Sequence, residues 1–149
     1  MVKTKSIKTS FIGSHGNRLD ARLELPEGDA KAFIIFSHCF TCTKDIITVY
    51  RSSQMRAQHG YAVLRFDFSG LGNSEGDFAD SNFSTTIEDI NAAADYLSTH
   101  HTAPSILIGH SVDRPSPLAV TRNNNSVTKV NTLASPTQAR TALAQFAPQ

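Results

Sequence analysis

ILIGHS, residues 106–111, is the strongest local pattern in this sequence. Three apolar residues suited to a buried strand are followed by Gly109, and Ser111 stands two positions after that glycine. This arrangement is typical of the first half of a nucleophile elbow, a strained strand-to-helix turn that projects the serine hydroxyl above the sheet edge. The turn needs small residues two positions before and after the serine, and Asp113 occupies the second of these positions. The alternative is an ordinary serine in a loop that ends a strand.

A second candidate segment, SHCF at residues 37–40, follows another apolar run. That run, AFIIF at residues 32–36, is typical of a strand covered on both faces. In a fold with a nucleophile elbow, the loop after such a strand supplies a backbone N–H to the oxyanion hole. We therefore expect the N–H groups of Phe40 and Val112 to stabilise the charge of a tetrahedral intermediate.

The same loop permits a different interpretation, because residues 39–42 form a C-x-x-C motif between a strand and a helix. A thioredoxin-type redox site has this layout, in which a helix N-terminus lowers the pKa of a thiol. Zinc needs four ligands, so Cys39 and Cys42 would have to recruit histidines, and we expect no metal. Two partly buried thiols in a non-catalytic module are the remaining alternative.

Apolar patterns along the chain alternate between strand and helix spacing, which indicates an α/β fold. We expect a mostly parallel sheet with flanking helices, right-handed crossovers and an N-terminal β-hairpin. The glycines of residues 70–76 are spaced G-x-G-x-x-x-G and do not open directly into a helix, so we expect a turn-rich connection and no cofactor. The predicted strands are 6–13, 19–25, 32–36, 62–66, 105–108 and 127–133, and the predicted helices are 45–59, 86–98 and 137–146.

The helix over residues 86–98 has the clearest pattern of the three. Thr85 and Glu88 have the spacing of a capping box at its start. Its apolar positions fall on one face, and they are Ile87, Ile90, Ala94 and Leu97.

The composition limits the classes of function. With 149 residues, 40% hydrophobic and 18% charged, the chain fits one soluble globular domain. A net charge of +1 argues against a protein built mainly to bind nucleic acid. Two cysteines make no disulfide framework. Residues 1–11 lack the apolar region of a signal peptide, and no apolar run is long enough to span a bilayer, so we expect neither. We therefore expect a cytoplasmic protein without a membrane partner.

Taken together, these segments resemble the N-terminal half of an α/β-hydrolase. The resemblance covers residues 19–111, and it includes the loop DFSGLGNSEG at 67–76, which matches the family's loop after its fourth strand. The sequence is most similar to bacterial hydrolases with HCFTC at the oxyanion loop, some of which carry a following OsmC-type domain. The resemblance implies that Ser111 is the nucleophile and that Phe40 and Val112 supply oxyanion donors. It also implies a small-molecule acyl substrate (an ester, a thioester or a small peptide) that is hydrolysed through an acyl-enzyme without a cofactor.

The sequence departs from the family at residues 112–126. The family's elbow continues as G-x-S-x-G-G into a helix of small residues, whereas Asp113 and Pro115 stand in this stretch here. Residues 127–149 again resemble the family, so we expect residues 1–149 to form a single partial domain in which 1–111 and 127–149 are family-like. A compensated pair of frameshifts would leave such a pattern.

The sequence after Ser111 lacks the expected partners of a catalytic serine. The family's triad follows the order Ser, Asp or Glu, His. Residues 112–149 contain no His and no Glu, and their one Asp is Asp113. Because a serine without a general base is a weak nucleophile, we expect little or no activity unless a partner chain or an upstream His completes the site. A sheet truncated after about six strands would also leave an unpaired edge, which predicts self-association.

Overall fold

The computed structural model describes residues 3–37, 47–80, 83–109 and 129–132. Its elements are β1 (Thr4–Ile12), β2 (Arg18–Pro26), β3 (Phe33–Ser37), α1 (Ile47–Gln58), β4 (Ala62–Phe66), α2 (Phe83–His100), β5 (Ile106–Gly109) and β6 (Lys129–Thr132). The strands form one mixed sheet of six, in the order β1-β2-β4-β3-β5-β6. The β3–β4, β3–β5 and β5–β6 pairs are parallel, whereas β2 runs antiparallel to both of its neighbours. The predicted α/β fold with a mostly parallel sheet is confirmed.

A tight turn joins β1 and β2 into the predicted N-terminal hairpin. The Asn17 N–H donates to the Ser14 carbonyl oxygen at 3.0 Å. Between them, His15 and Gly16 both have positive φ, at 54° and 71°. Two central residues with positive φ are what a type I′ turn requires, and its twist matches that of the strands it joins.

Two helical crossovers connect parallel strands, as the alternation of patterns predicts. Helix α1 joins β3 to β4, and α2 joins β4 to β5.

The predicted capping box at the start of α2 is wrong. Helix α2 begins at Phe83, so Thr85 lies inside its first turn and is 4% exposed, and Thr85 and Glu88 do not form a capping box ahead of the helix.

Helix α2 covers one face of the sheet through a continuous apolar cluster. The predicted apolar face of the helix is confirmed, because Ile90, Ala94 and Leu97 are buried and Ile87 packs against them. The sheet meets them with side chains from β1, β2, β3, β4 and β5, namely Phe11, Leu19, Ala21, Leu23, Ile35, Leu64, Phe66 and Leu107. Burying one Leu or Phe contributes about 1.5–3 kcal/mol, so this face supplies much of the fold's stability.

Helix α1 covers the opposite face, which has a smaller apolar cluster and a buried ion pair. Arg65 Nη2 lies 3.0 Å from Glu24 Oε1, and the two side chains are 2% and 1% exposed. The Ser6 hydroxyl donates to the same carboxylate oxygen at 2.9 Å. From α1, the Tyr50 ring lies 5.2 Å from the guanidinium carbon, within the range of a cation–π interaction. The apolar members of this face are Ile34, Phe36, Val49, Val63 and Ile108.

The predicted last strand is present as β6, paired with β5. The helix predicted at 137–146 and the divergent segment 112–126 lie outside the described residues. Within the described part of the chain β6 pairs with β5 alone, and self-association through a strand edge stays a prediction. Neither α1 nor α2 combines the length and the apolar character needed to cross a bilayer.

Candidate active site

The carboxyl ends of three parallel strands meet at one edge of the sheet. Ser37, the last residue of β3, is in register with Gly109, the last residue of β5. On its other side β3 pairs with β4, where Phe36 is in register with Arg65. The chain therefore leaves β3, β4 and β5 side by side. In open α/β sheets the crevice outside these carboxyl ends is where ligands bind.

The three predicted site residues, Ser111, Phe40 and Val112, lie outside the described residues, and their roles remain predictions. The structure describes the strand ends that lead to them. Ser37 precedes Phe40 by three positions and Gly109 precedes Ser111 by two. Because the two strand ends are in register, the two loops begin about 4.8 Å apart, the spacing of neighbouring strands.

The loop after β4, residues 67–76, is closed on itself by a buried carboxylate. Asp67 is fully buried, and its Oδ2 accepts a hydrogen bond from the Asn73 N–H at 3.1 Å. Gly72 sits over this contact with φ +51°, and a Cβ there would lie 2.4 Å from Asp67 Oδ2. A side chain at this position would collide with the carboxylate, so glycine is required by the loop itself.

Two further residues fasten this loop to the start of β2. The Ser74 hydroxyl accepts from the Asp20 N–H at 2.9 Å and donates to the Asp67 carbonyl oxygen at 2.5 Å. The Glu75 N–H donates to the Arg18 carbonyl oxygen at 2.9 Å. In return the Arg18 N–H donates to Glu75 Oε1 at 2.8 Å. The loop after β4 is therefore built against the hairpin rather than projecting freely from the edge.

A second buried carboxylate holds the loop from the other side. Asp89, on α2, accepts hydrogen bonds from the Ser69 N–H, the Ser69 hydroxyl and the Ser14 N–H. Asp89 was not among the predicted site residues. Its signal was a charged residue on the buried side of a helix, three positions after the buried Thr86 and four before the buried Ala93.

None of the described histidines lies near the carboxyl end of β5, from which the chain leads to Ser111. His59 follows α1, and His100 and His101 end α2 and follow it, so all three stand at the opposite edge, where β4 and β5 begin. His15 is at the carboxyl edge, but its hairpin lies three strand spacings from β5, or about 14 Å. The other two histidines lie outside the described residues. In the described part of the chain, no group of three His, Cys, Asp or Glu side chains is placed to hold a metal ion.

The C-x-x-C motif of the rival interpretation also lies outside the described residues. Cys39 and Cys42 belong to the connection between β3 and α1. The redox and non-catalytic interpretations therefore remain predictions.

Comparison with protein families gives one match, to the family described as serine aminopeptidase, S33 (Hydrolase_4), over residues 29–112. The match contains β3, β4 and β5 with the two helices between them, and it ends at Val112. No protein of curated function matches the sequence.

Comparison with solved structures gives many similar folds. The esterase domain of a Rhodothermus marinus protein is 40% identical with a TM-score of 0.67, over 87% of this chain and 49% of that one. Est1E from Butyrivibrio proteoclasticus, solved with ferulic acid bound, is 22% identical with a TM-score of 0.72, over 82% of this chain and 51% of that one. XC6422 from Xanthomonas campestris, a serine hydrolase without a lid, is 17% identical with a TM-score of 0.75, over 100% and 83%. This chain spans about half the length of the first two structures.

Proposed function

The chain belongs to the serine aminopeptidase S33 family of α/β hydrolases, and from that premise we propose that it carries the nucleophile side of a serine acyl hydrolase. Ser111 attacks the acyl carbon of the substrate. The backbone N–H groups of Phe40 and Val112 stabilise the oxyanion that forms. The intermediate collapses as the bond to the leaving group breaks, and the alcohol (or thiol or amine) departs with the proton given up by the serine hydroxyl. Water then hydrolyses the acyl-enzyme to the free acid and restores Ser111.

This proposal rests on one observation, the register of β3 with β5. Ser37 and Gly109 face each other on neighbouring parallel strands and end them at the same level. An oxyanion donor and a nucleophile have to approach the same carbonyl group, so their loops must begin side by side. The motifs SHCF and ILIGHS begin at or run through these two strand ends.

The substrate class we favour is an ester. The esterase domain from Rhodothermus marinus is 40% identical to this chain over the aligned residues, against 22% and 17% for the other two structures. Thioesters and small peptides remain within the proposal, because they react through the same tetrahedral intermediate and the family is described as an aminopeptidase family.

Residues 1–149 supply no base where the triad requires one, and this sets the rate expected of these residues alone. Residues 112–149 supply no His and no Glu, and the described histidines stand at the opposite edge of the sheet or about 14 Å from β5. A serine without a base keeps the contributions of the oxyanion hole and of substrate binding, which together give about 10³–10⁴-fold over water in serine proteases. We therefore propose slow, Ser111-dependent chemistry that a base from solution accelerates.

The test is labelling with a fluorophosphonate probe, with and without added imidazole as an external base. We expect slow labelling of the wild-type chain that imidazole accelerates, because it supplies the general base. The Ser111→Ala variant should not label under either condition. Ser98→Ala removes an exposed serine from α2 and is the matched control, which should label as the wild type does.

Labelling of a folded wild-type chain that is no greater than that of Ser111→Ala, with imidazole present, would contradict the proposal. Circular dichroism of the same samples shows whether each chain is folded. Labelling that persists in Ser111→Ala would place the nucleophile on another residue.

A further inference from the structure

Asp89 is a buried carboxylate with hydrogen bonds on both oxygens. Oδ2 accepts from the Ser69 N–H at 2.9 Å. Oδ1 accepts from the Ser14 N–H at 2.8 Å and from the Ser69 hydroxyl at 3.1 Å. The hydroxyls of Ser14 and Ser69 lie 3.0 Å apart, so the three residues form one connected group. Asp89, Ser14 and Ser69 are 1%, 3% and 4% exposed.

This group joins three elements that are far apart in the sequence. Ser14 belongs to the hairpin turn, Ser69 to the loop after β4, and Asp89 to α2. There is little free space around it, because a Cβ on Gly13 would lie 2.6 Å from Asp89 Oδ1. The carboxylate is therefore held in one position, and it holds the backbone of two loops.

The docking of α2 does not depend on this carboxylate for apolar burial. Ile90, Ala93, Ala94 and Leu97 already bury the helix against the sheet. Taking a carboxylate out of water is costly, and hydrogen bonds from backbone N–H groups offset that cost. They also fix the orientation of the carboxylate. What Asp89 adds to the apolar contacts is the orientation of the loop that contains Ser69.

The orientation of this loop bears on the proposed active site. Residues 67–76 leave β4 next to the chain that leaves β3, since Phe36 and Arg65 are in register one residue before each strand ends. The chain after β3 leads to Phe40, the proposed oxyanion donor. The loop after β4 thus begins beside the chain that leads to the proposed oxyanion donor.

We propose that Asp89 is a positioning residue, which fixes the loop at 67–76 as one wall of the active site and acts on the reaction through that loop. This inference rests on the proposed function. Misplacement of reacting groups by about 1 Å can lower a rate by up to 10²-fold, so loss of the carboxylate should slow the reaction of Ser111 as well as loosen the loop.

The test compares Asp89→Asn with two controls on the same helix. An amide keeps the shape but has one acceptor oxygen, so it cannot serve both backbone donors. Asp95→Asn makes the same change at an exposed position of α2, and Ile90→Val weakens the buried face without touching a hydrogen bond. The readouts are amide hydrogen exchange over residues 67–76 and the rate of Ser111 labelling by fluorophosphonate with imidazole, expressed per folded molecule.

We expect Asp89→Asn to accelerate exchange in residues 67–76 while β3 and β4 remain protected, and to lower the labelling rate by about tenfold. Ser69→Ala removes the hydroxyl but keeps the backbone N–H, so it should give a smaller change in the same direction. It also decides the matter if Asp89→Asn does not fold. Asp95→Asn and Ile90→Val should label as the wild type does.

Two failures can be told apart. A wild-type chain that never labels at Ser111 contradicts the proposed function and the positioning role with it. A wild-type chain that labels, together with Asp89→Asn or Ser69→Ala chains that label equally fast per folded molecule, contradicts the positioning role alone. Equal slowing by Ile90→Val would show that Asp89 contributes to stability and has no specific effect on the site.

Discussion

The two faces of the sheet bury different kinds of side chain. On the α2 face an extended apolar cluster runs from Phe11 of β1 to Leu107 of β5, and the buried carboxylate of Asp89 binds two loops rather than a strand. On the α1 face a smaller apolar cluster shares the space with the ion pair of Glu24 and Arg65. Strand β4 supplies both, because successive residues point to opposite faces and Leu64 stands beside Arg65.

One sheet is therefore stabilised in two ways. Apolar burial is non-directional and depends on the area removed from water. The ion pair depends on both partners, because either one alone would be a buried charge. Glu24 Oε2 has no hydrogen-bond partner among the described residues, so Arg65 and Ser6 hold the carboxylate through its other oxygen.

The largest expected effect follows from breaking the ion pair. Arg65→Met keeps an apolar stem but leaves the Glu24 carboxylate buried without its cation. We expect the free energy of unfolding to fall by about 4 kcal/mol, within the range for a broken buried pair. Urea unfolding at neutral pH measures it, provided that the slope with denaturant is unchanged.

The control for this variant is Arg22→Met, the same change at the residue directly across from Arg65 on β2. Arg22 is only half-buried, so its loss should cost far less. Replacing both members of the pair, as in Glu24→Leu with Arg65→Met, should recover most of the lost stability. A double variant as unstable as the single one would mean that the shape of the arginine, rather than its charge, supports this face.

The apolar face should respond to volume rather than charge. Leu64 is fully buried in the α2 cluster, and Leu64→Ala should cost about 3 kcal/mol through lost burial and the cavity left behind. Leu64→Met keeps the volume and should cost less than about 1.5 kcal/mol. Thermal and urea unfolding of the two variants test this. Similar losses of unfolding free energy in both variants would show that this face depends on side-chain shape as closely as the ion pair depends on charge.

The contrast between the faces also shows how far the sequence predicts the fold. Strand β4 has the predicted bounds, because an apolar run between turns is a local signal. The ion pair was not predicted, although Arg65 interrupts that run. Its partner Glu24 is 41 residues away, and no local spacing links two charges on different strands.

The residues of the candidate site also divide into those that local motifs predict and those that they do not. Ser111, Phe40 and Val112 were predicted from short motifs, since an elbow and an oxyanion loop are local features of the chain. Asp89 was not predicted, because its partners Ser69 and Ser14 are 20 and 75 residues away. Contacts of this length depend on the complete topology, which brings the hairpin turn, the loop after β4 and α2 to one corner.

The smallest expected effect concerns the polar loop at 67–76. It shows whether this loop is as intolerant of substitution as the ion pair. Gly72→Ala places a Cβ against the Asp67 carboxylate, which cannot move aside without losing the Asn73 N–H. Gly16→Ala is the matched control, since Gly16 also has positive φ but a Cβ there meets nothing within 4 Å. A left-handed backbone alone should cost about 1 kcal/mol, and strain with the collision about 2 kcal/mol. Equal losses of unfolding free energy in the two variants, measured with urea, would mean that the Asp67 carboxylate moves aside. The loop would then tolerate a substitution where the Glu24–Arg65 pair does not.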